Sequence, residues 1–251
     1  MTTAAYSQGI APFYDLFEGD VGRADESLAL VQRHVKAGAS VLDVGAGTGT
    51  LALTLASAGY RVTALEPDAQ MYGQLLARLG ARRDLEHALT PLPRGAGFAL
   101  GGSFDAVVCF AVFHLINARE RHTLVEHAAQ HLVAGGCLLL DVAVDGSERS
   151  DQPRTLTAER RLGDTLLRKY VTMRRMGTGR WLTTWELQTL RGEAVIDTCT
   201  RVFDWQPMAP TDAEAMLVQH GLAIEQRYAD DGGASFVLGT SRSLLLTARK
   251  R

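Results

Sequence analysis

Asp43-Val44-Gly45-Ala46-Gly47-Thr48-Gly49 is the segment richest in chemical possibility. Closely spaced glycines let a chain turn sharply and bring bare backbone against a ligand. They follow a short apolar run (Val41, Leu42, Val44) and precede LALTLASAG, which keeps helical spacing up to Gly59. The order is strand, tight turn, helix, with the helix N-terminus aimed at whatever the turn holds. Two nucleotide readings compete for such a turn. A dinucleotide enzyme wants G-x-G-x-x-G, with pyrophosphate on the helix terminus. Here Thr50 stands where that third glycine belongs, and Gly49 comes one residue early. Asp43 also lies just ahead of the first glycine, which suits a cationic ammonium near the turn and no phosphate. Glu66 follows 23 residues after Asp43, at the end of the next apolar run. A carboxylate there accepts hydrogen bonds from both hydroxyls of a ribose.

Other residues are candidates by type and place. His114 lies just beyond the strong apolar run FDAVVCFAVF and titrates near neutral pH, so it is the candidate general base. Asp141, late in CLLLDVAV, is a candidate to orient a substrate amine. Trp181 and Trp185 are four apart on a strand-like run, so both face one side and are candidates to line a substrate pocket. His122, His127 and His131 share one helix. The spacing of the last two is metal-like, but no further ligand accompanies them, so the expectation is a solvated face and no metal.

These residues need a frame. Strands end at Val44, at Glu66, near Thr90, near Phe113 and near Val144. The helices between them follow the glycine turn, span AQMYGQLLARLG, and span 119–132 before Ala134-Gly135-Gly136. DLEHALT reads as a weak third strand. Alternating strands and helices imply a doubly wound α/β fold, with ligands at the carboxyl ends of the strands where strand order reverses. The first 38 residues read as a helical cap, with Leu28, Val31 and Val35 on one helix face. A polar stretch, 145–164, reads as linker and helix. After it come LLRKYVTMRRM, RWLTTWELQTL and AVIDTCTRVFDW, separated by glycine-containing turns. Short turns mean antiparallel pairing. Residues 146–207 therefore form an antiparallel insertion within a single domain spanning 1–251, either covering the substrate site or making a dimer contact. A final helix at 211–220 and two strands complete a seven-stranded, mostly parallel sheet.

Composition narrows the class. A net charge of -2 gives no global field towards nucleic acid or membrane. Arginines between Arg149 and Arg180 are offset by acids such as Glu148, Asp151 and Glu159, so that stretch reads as a solvated face. Cys109, Cys137 and Cys199 are far apart and make neither a zinc motif nor a disulfide framework. With no signal peptide and no membrane-length apolar run, the expectation is a soluble cytoplasmic protein.

VLDVGAGTG, ALEPD, FDAVVCFAVFHL and LVAGGCLLLD together resemble the motifs of class I S-adenosylmethionine-dependent methyltransferases, over roughly residues 40–145. The resemblance implies S-adenosylmethionine as cofactor and S-adenosylhomocysteine as product. It implies that Asp43 and the backbone of Gly45, Ala46 and Gly47 hold the methionine part, and that Glu66 binds the ribose. Pro67 and Met71 would lie against the adenine, with Phe110 and Ala111 bordering cofactor and substrate. Tyr14 is similar to a tyrosine in an N-terminal helix that covers the cofactor. The family's usual acid after the third strand is missing, so Leu89, Thr90 or their backbone would meet the adenine amino group. Ala134 replaces a common proline. An insertion of this kind is similar to those of glycine N-methyltransferases, amino-sugar N,N-dimethyltransferases and some peptide α-amine methyltransferases of antibiotic pathways.

The expected function is methyl transfer to a small molecule of secondary metabolism, with nitrogen preferred over oxygen. An O-methyltransferase of a small aromatic metabolite is the alternative, as is a peptide or RNA methyltransferase. A non-catalytic cofactor-binding protein and a nicotinamide enzyme rank lower. Expected partners are a small-molecule acceptor and a second copy of the chain, without nucleic acid or membrane.

Overall fold

The computed structural model describes residues 10–17, 21–144, 150–177, 179–230, 232–241 and 243–251. The linker at 145–149 and parts of the expected cap lie outside them.

Five short strands build the parallel part of the main sheet. They are β1 (Ser40–Val44), β2 (Arg61–Leu65), β3 (Leu89–Leu92), β4 (Phe104–Cys109) and β5 (Leu132–Ala143). Two more, β10 (Leu222–Tyr228) and β11 (Ser243–Lys250), extend it antiparallel beyond β5. The spatial order is β3-β2-β1-β4-β5-β11-β10. Strand order reverses between β1 and β4, where Asp43 lies opposite Val108. Both strands end at that crevice, where such sheets bind ligands.

Helices cover both faces because alternate strand residues point to opposite sides. One apolar layer joins Leu42, Val107 and Leu138 to Leu124 and Val125 of α5 (Ala118–His131) and Leu217 of α6 (Pro210–Gln219). The other joins Val41, Val108 and Leu139 to α2 (Val21–His34), α3 (Thr50–Ser57) and α4 (Ala69–Gly80). A short helix, α1 (Ala11–Phe17), precedes them. Asn117 caps α5 in a reciprocal capping box with Glu120, which fixes where the chain leaves the loop after β4.

Three expectations are corrected. The third strand begins at Leu89, because Arg83–Leu85 closes into a short 3-10 turn ahead of it. Helix α5 passes directly into β5, so Ala134-Gly135-Gly136 lies inside the strand. There Gly135 takes a φ of 72°, and the register against β4 slips between Phe104 and Ala106. The third correction concerns the stretch expected to be helical. From 152 it is strand β6 (Gln152–Leu162). It is an edge strand exposed on both faces, so no apolar alternation marks it.

β6, β7 (Thr165–Arg175), β8 (Trp181–Arg191) and β9 (Ala194–Trp205) form a separate antiparallel sheet in sequence order. β7 and β8 pair from Thr165↔Arg191 to Arg175↔Trp181 without a slip. One face of this sheet is largely apolar, with Leu167, Trp181, Leu187 and Phe203 buried together with Lys169. A parallel bridge between Val144 and Met208 returns the chain to the main sheet. Among the described residues, no helix is long and apolar enough to cross a membrane.

Candidate active site

Glu66 organises the carboxyl edge of the sheet. It is 6% exposed, and each carboxylate oxygen accepts one backbone amide. Gly47 N–H donates to Oε2 at 2.8 Å, and Asp68 N–H donates to Oε1 at 2.8 Å. The first bond ties the glycine turn after β1 to the end of β2. The second fixes Asp68, whose own carboxylate caps α4 by accepting from Gln70 and Met71. Burial pushes the Glu66 pKa up, and the two amide bonds pull against it.

The turn is built for closeness. Gly45, Gly47 and Gly49 take φ values of 80°, 58° and 84°, a region costly for residues with a Cβ. A Cβ on Gly45 would stand 2.2 Å from a methyl of Val112, and one on Gly49 would stand 2.8 Å from Leu75. Gly45 and Ala46 N–H groups both donate to the Leu65 carbonyl. With Gly47 bonded to Glu66, these three amides are all engaged within the turn. They are not available to an anion.

Asp43 sits beneath the turn, buried, with Oδ2 lacking a hydrogen-bond partner. Burial and the neighbouring Glu66 charge raise its pKa to about 7. A buried carboxylate oxygen without a donor fits a ligand that brings one, such as an ammonium. The donor set as a whole therefore fits an amino acid–nucleoside conjugate: an acceptor for a cation at Asp43 and a carboxylate for ribose at Glu66.

The remaining candidates distribute around this pair. Met71 is buried, with its methyl near Gly47. Pro67 is exposed and lies against Gly95, in the loop that follows β3. Leu89 and Thr90 do not reach the edge. Leu89 is buried beside Val62, and the strand runs on to Leu92, whose carbonyl accepts from Glu66 N–H. The loop from Pro93 to Gly95 occupies the place where the sequence suggested Leu89 and Thr90, a consequence of the late start of β3. Phe110 and Ala111 follow β4 directly, half-buried. Asp141 lies within β5's buried run and accepts from Ala111 N–H at 2.8 Å.

His114 lies in the 3-10 turn Phe113–Leu115, edge-on to Trp205 with ring centroids 5.6 Å apart. Its carbonyl accepts from Gln206 N–H at 2.8 Å. Buried Arg121 donates to the Phe113 carbonyl at 2.8 Å and also bonds the Gln206 carbonyl. The loop after β4 is thereby fastened to the exit of the insertion.

Tyr14 of α1 stacks on Trp185 of β8, centroids 6.4 Å apart. Phe203 meets the same indole edge-on at 4.7 Å, and Lys169 Nζ stands 3.6 Å from its centroid. Trp181 is 1% exposed and packs the insertion itself, so it does not stand with Trp185 at an open surface. The expectation for the α5 histidines is also corrected. His127 and His131 stack with Phe98 packed against both, and His131 bonds Leu100 and the His127 carbonyl. Only His122 stays exposed, and the described residues contain no cluster of three potential metal ligands.

A side-chain clasp also joins α1, the glycine turn and α4. Asp15 of α1 accepts from Thr48 Oγ1 at 2.5 Å and from Arg78 at 3.0 Å, while Arg78 also donates to Thr50 at 2.7 Å. This clasp holds α1 on the glycine turn. Its members lie tens of residues apart, so no local spacing announces them.

The chain is similar to known proteins in sequence and in fold. Residues 42–138 match the family described as "Methyltransferase domain". A dTDP-3-amino-3,6-dideoxy-alpha-D-glucopyranose N,N-dimethyltransferase from Streptomyces fradiae is 33% identical over 145 residues. That alignment covers 55% of this chain and 54% of the relative, so the chain spans about half the length of the curated relative it matches. The CcbJ methyltransferase of Streptomyces caelestis superposes with a TM-score of 0.78 at 20% identity, over 98% of each chain. The sugar N-methyltransferase KedS8 of Streptoalloteichus does so with 0.77 at 22%, over 100% of this chain and 98% of its own. Residues 42–138 thus match a methyltransferase domain, and the fold of the chain is that of these solved methyltransferases, with an antiparallel insertion.

Two outcomes follow from the turn and its acid. Gly45→Ala meets Val112 and a left-handed backbone at once, and loses about 2 kcal/mol or more. Denaturant unfolding measures this, and Val112→Ala in the same chain recovers part of it. Asp43 is protonated in the folded protein up to about pH 7, whereas the unfolded carboxyl ionises near 3.8. The folded state therefore holds the extra proton, and stability falls as pH rises between those values. Asp43→Asn removes this slope of up to about 1.4 kcal/mol per pH unit. Parallel slopes for variant and wild type in urea titrations at pH 5 and pH 7 would contradict the assignment.

Proposed function

We propose that this protein transfers a methyl group from S-adenosylmethionine to the amine of a small acceptor, an amino sugar. The observation that carries the reading is the pairing of orphaned Asp43 with bridged Glu66 at the reversal point of the sheet. The matched domain and the amino-sugar relative support it.

S-adenosylmethionine brings an already activated methyl on a sulfonium, so the chain has to bind, aim and exclude water. Asp43 and the carbonyls of the glycine turn receive the ammonium of the methionine part. Glu66 keeps lone pairs for the ribose hydroxyls beyond its two backbone bonds. The loop from Leu92 to Gly95, with Pro67 and Met71, flanks the adenine. Helix α1, held by the Asp15 clasp, closes the site from above. A neutral amine carries its own lone pair and needs alignment more than a base. His114 is the titratable group on the acceptor side that takes up the proton the product amine sheds.

The insertion supports this choice of acceptor. Trp185, Phe203 and Tyr14 offer flat apolar surfaces suited to the C–H face of a sugar. Lys169 is buried beside them and suits an anionic substituent such as a nucleotide diphosphate. Lys169→Met should raise KM for a nucleotide-linked amino sugar tenfold or more while leaving affinity for S-adenosylhomocysteine within twofold. Equal KM values would remove the phosphate from the proposal.

Calorimetric titration with S-adenosylmethionine, S-adenosylhomocysteine and NADH tests the cofactor. Micromolar binding of the first two and none of NADH is expected. Glu66→Gln keeps the size of the side chain but loses acceptor strength, and should weaken binding about tenfold, the loss of ~1.4 kcal/mol. NADH binding alone would overturn the reading.

A further inference from the structure

Ala111 is the one non-glycine residue with a left-handed backbone among those described, with a φ of 58°. It directly follows Phe110, at the point where β4 gives way to the loop over the candidate site. In the register of the sheet Cys109 lies opposite Leu140, so the ladder with β5 stops just short of Phe110 and Asp141. The next step is made by a side chain. The Asp141 carboxylate receives the Ala111 N–H at 2.8 Å, from a position only 9% exposed.

Three things depend on that bend. Val112 is turned onto the glycine turn, with its methyl filling the space where a Gly45 Cβ would be. The 3-10 turn begins at once, and it carries His114 to Trp205. The His114 carbonyl then meets Gln206 at the exit of the insertion. Cofactor side and acceptor side are thus set by one backbone kink that an alanine adopts reluctantly.

We propose that Asp141 is a positioning residue, which holds Ala111 in the left-handed conformation and so sets Val112 and His114 against the glycine turn. The inference rests on reading that turn as the cofactor site. It replaces the expectation that Asp141 itself orients the acceptor amine. What the bend needs from residue 141 is an oxygen that accepts the Ala111 amide, which asparagine also offers. What it needs from residue 111 is tolerance of a positive φ, which glycine supplies without a Cβ clash.

The test is a cycle of Asp141→Asn, Asp141→Ala, and Asp141→Ala with Ala111→Gly, together with Ala111→Gly alone. Readouts are thermal stability, affinity for S-adenosylhomocysteine, and kcat and KM for a nucleotide-linked amino sugar. Asp141→Asn keeps an oxygen in place, and kcat should fall less than threefold. Asp141→Ala should lose tenfold or more in kcat with KM little changed. Adding Ala111→Gly should restore at least threefold of that loss. Asp141→Asn as damaged as Asp141→Ala, without rescue by glycine, would show that the charge acts on the acceptor and would overturn the proposal. The stability arm needs no ligand. Non-additive effects of Asp141→Ala and Ala111→Gly support the bend, and strict additivity overturns it, whether or not the wild type binds S-adenosylhomocysteine.

Discussion

A buried carboxylate bridging two strand ends is the constraint on which the site depends. Burial pushes the Glu66 pKa up, and the Gly47 and Asp68 amides pull against that shift while holding the carboxylate in place. The same bonds give the glycine turn its shape and start α4. Binding capacity and local fold therefore share one group. A carboxylate that already accepts two amides is held in place before any ligand arrives, so little ordering remains to be done on binding.

Asp43 is the complement of that arrangement. It lies within the field of Glu66, is shielded from water, and has an oxygen without a donor. Such a pair of acids destabilises the ligand-free chain and is relieved by a cation. The edge is therefore tuned against phosphate and towards an ammonium. The engaged amides of Gly45, Ala46 and Gly47 point the same way, because a phosphate cradle needs free N–H groups. The site's preference is thus written in donors that are already taken as much as in acceptors that are free.

The parts of this arrangement that were legible in the sequence are those set by local spacing. The glycine turn, Glu66, the alternation of strands and helices, and the helix spanning 119–132 all follow from short-range pattern. What escaped detection depends on distant or exposed residues. β6 is solvated on both faces and so shows no apolar alternation. The late start of β3 carries the strand on to Leu92, so the chain leaves the sheet edge after Leu92 and not at Leu89 and Thr90, a shift that no motif marks. The stacking of His127 and His131 around Phe98 follows from a loop whose path only tertiary packing fixes. The Asp15–Thr48–Arg78 clasp and the Asp141–Ala111 bond join segments far apart in the chain, and neither residue type nor spacing foretells them.

The insertion gives the fold its individuality. Its inner face meets α1 through Trp185 and Tyr14, and its exit meets the loop after β4 through Trp205 and Gln206. The insertion is thus tied both to α1, which is clasped to the glycine turn, and to the loop after β4. A crystal structure with S-adenosylhomocysteine bound tests this account most directly. The account predicts ribose hydroxyls within hydrogen-bonding distance of Glu66 and the ligand's ammonium at Asp43 Oδ2. A ligand seated elsewhere, or one whose ribose avoids Glu66, would contradict it.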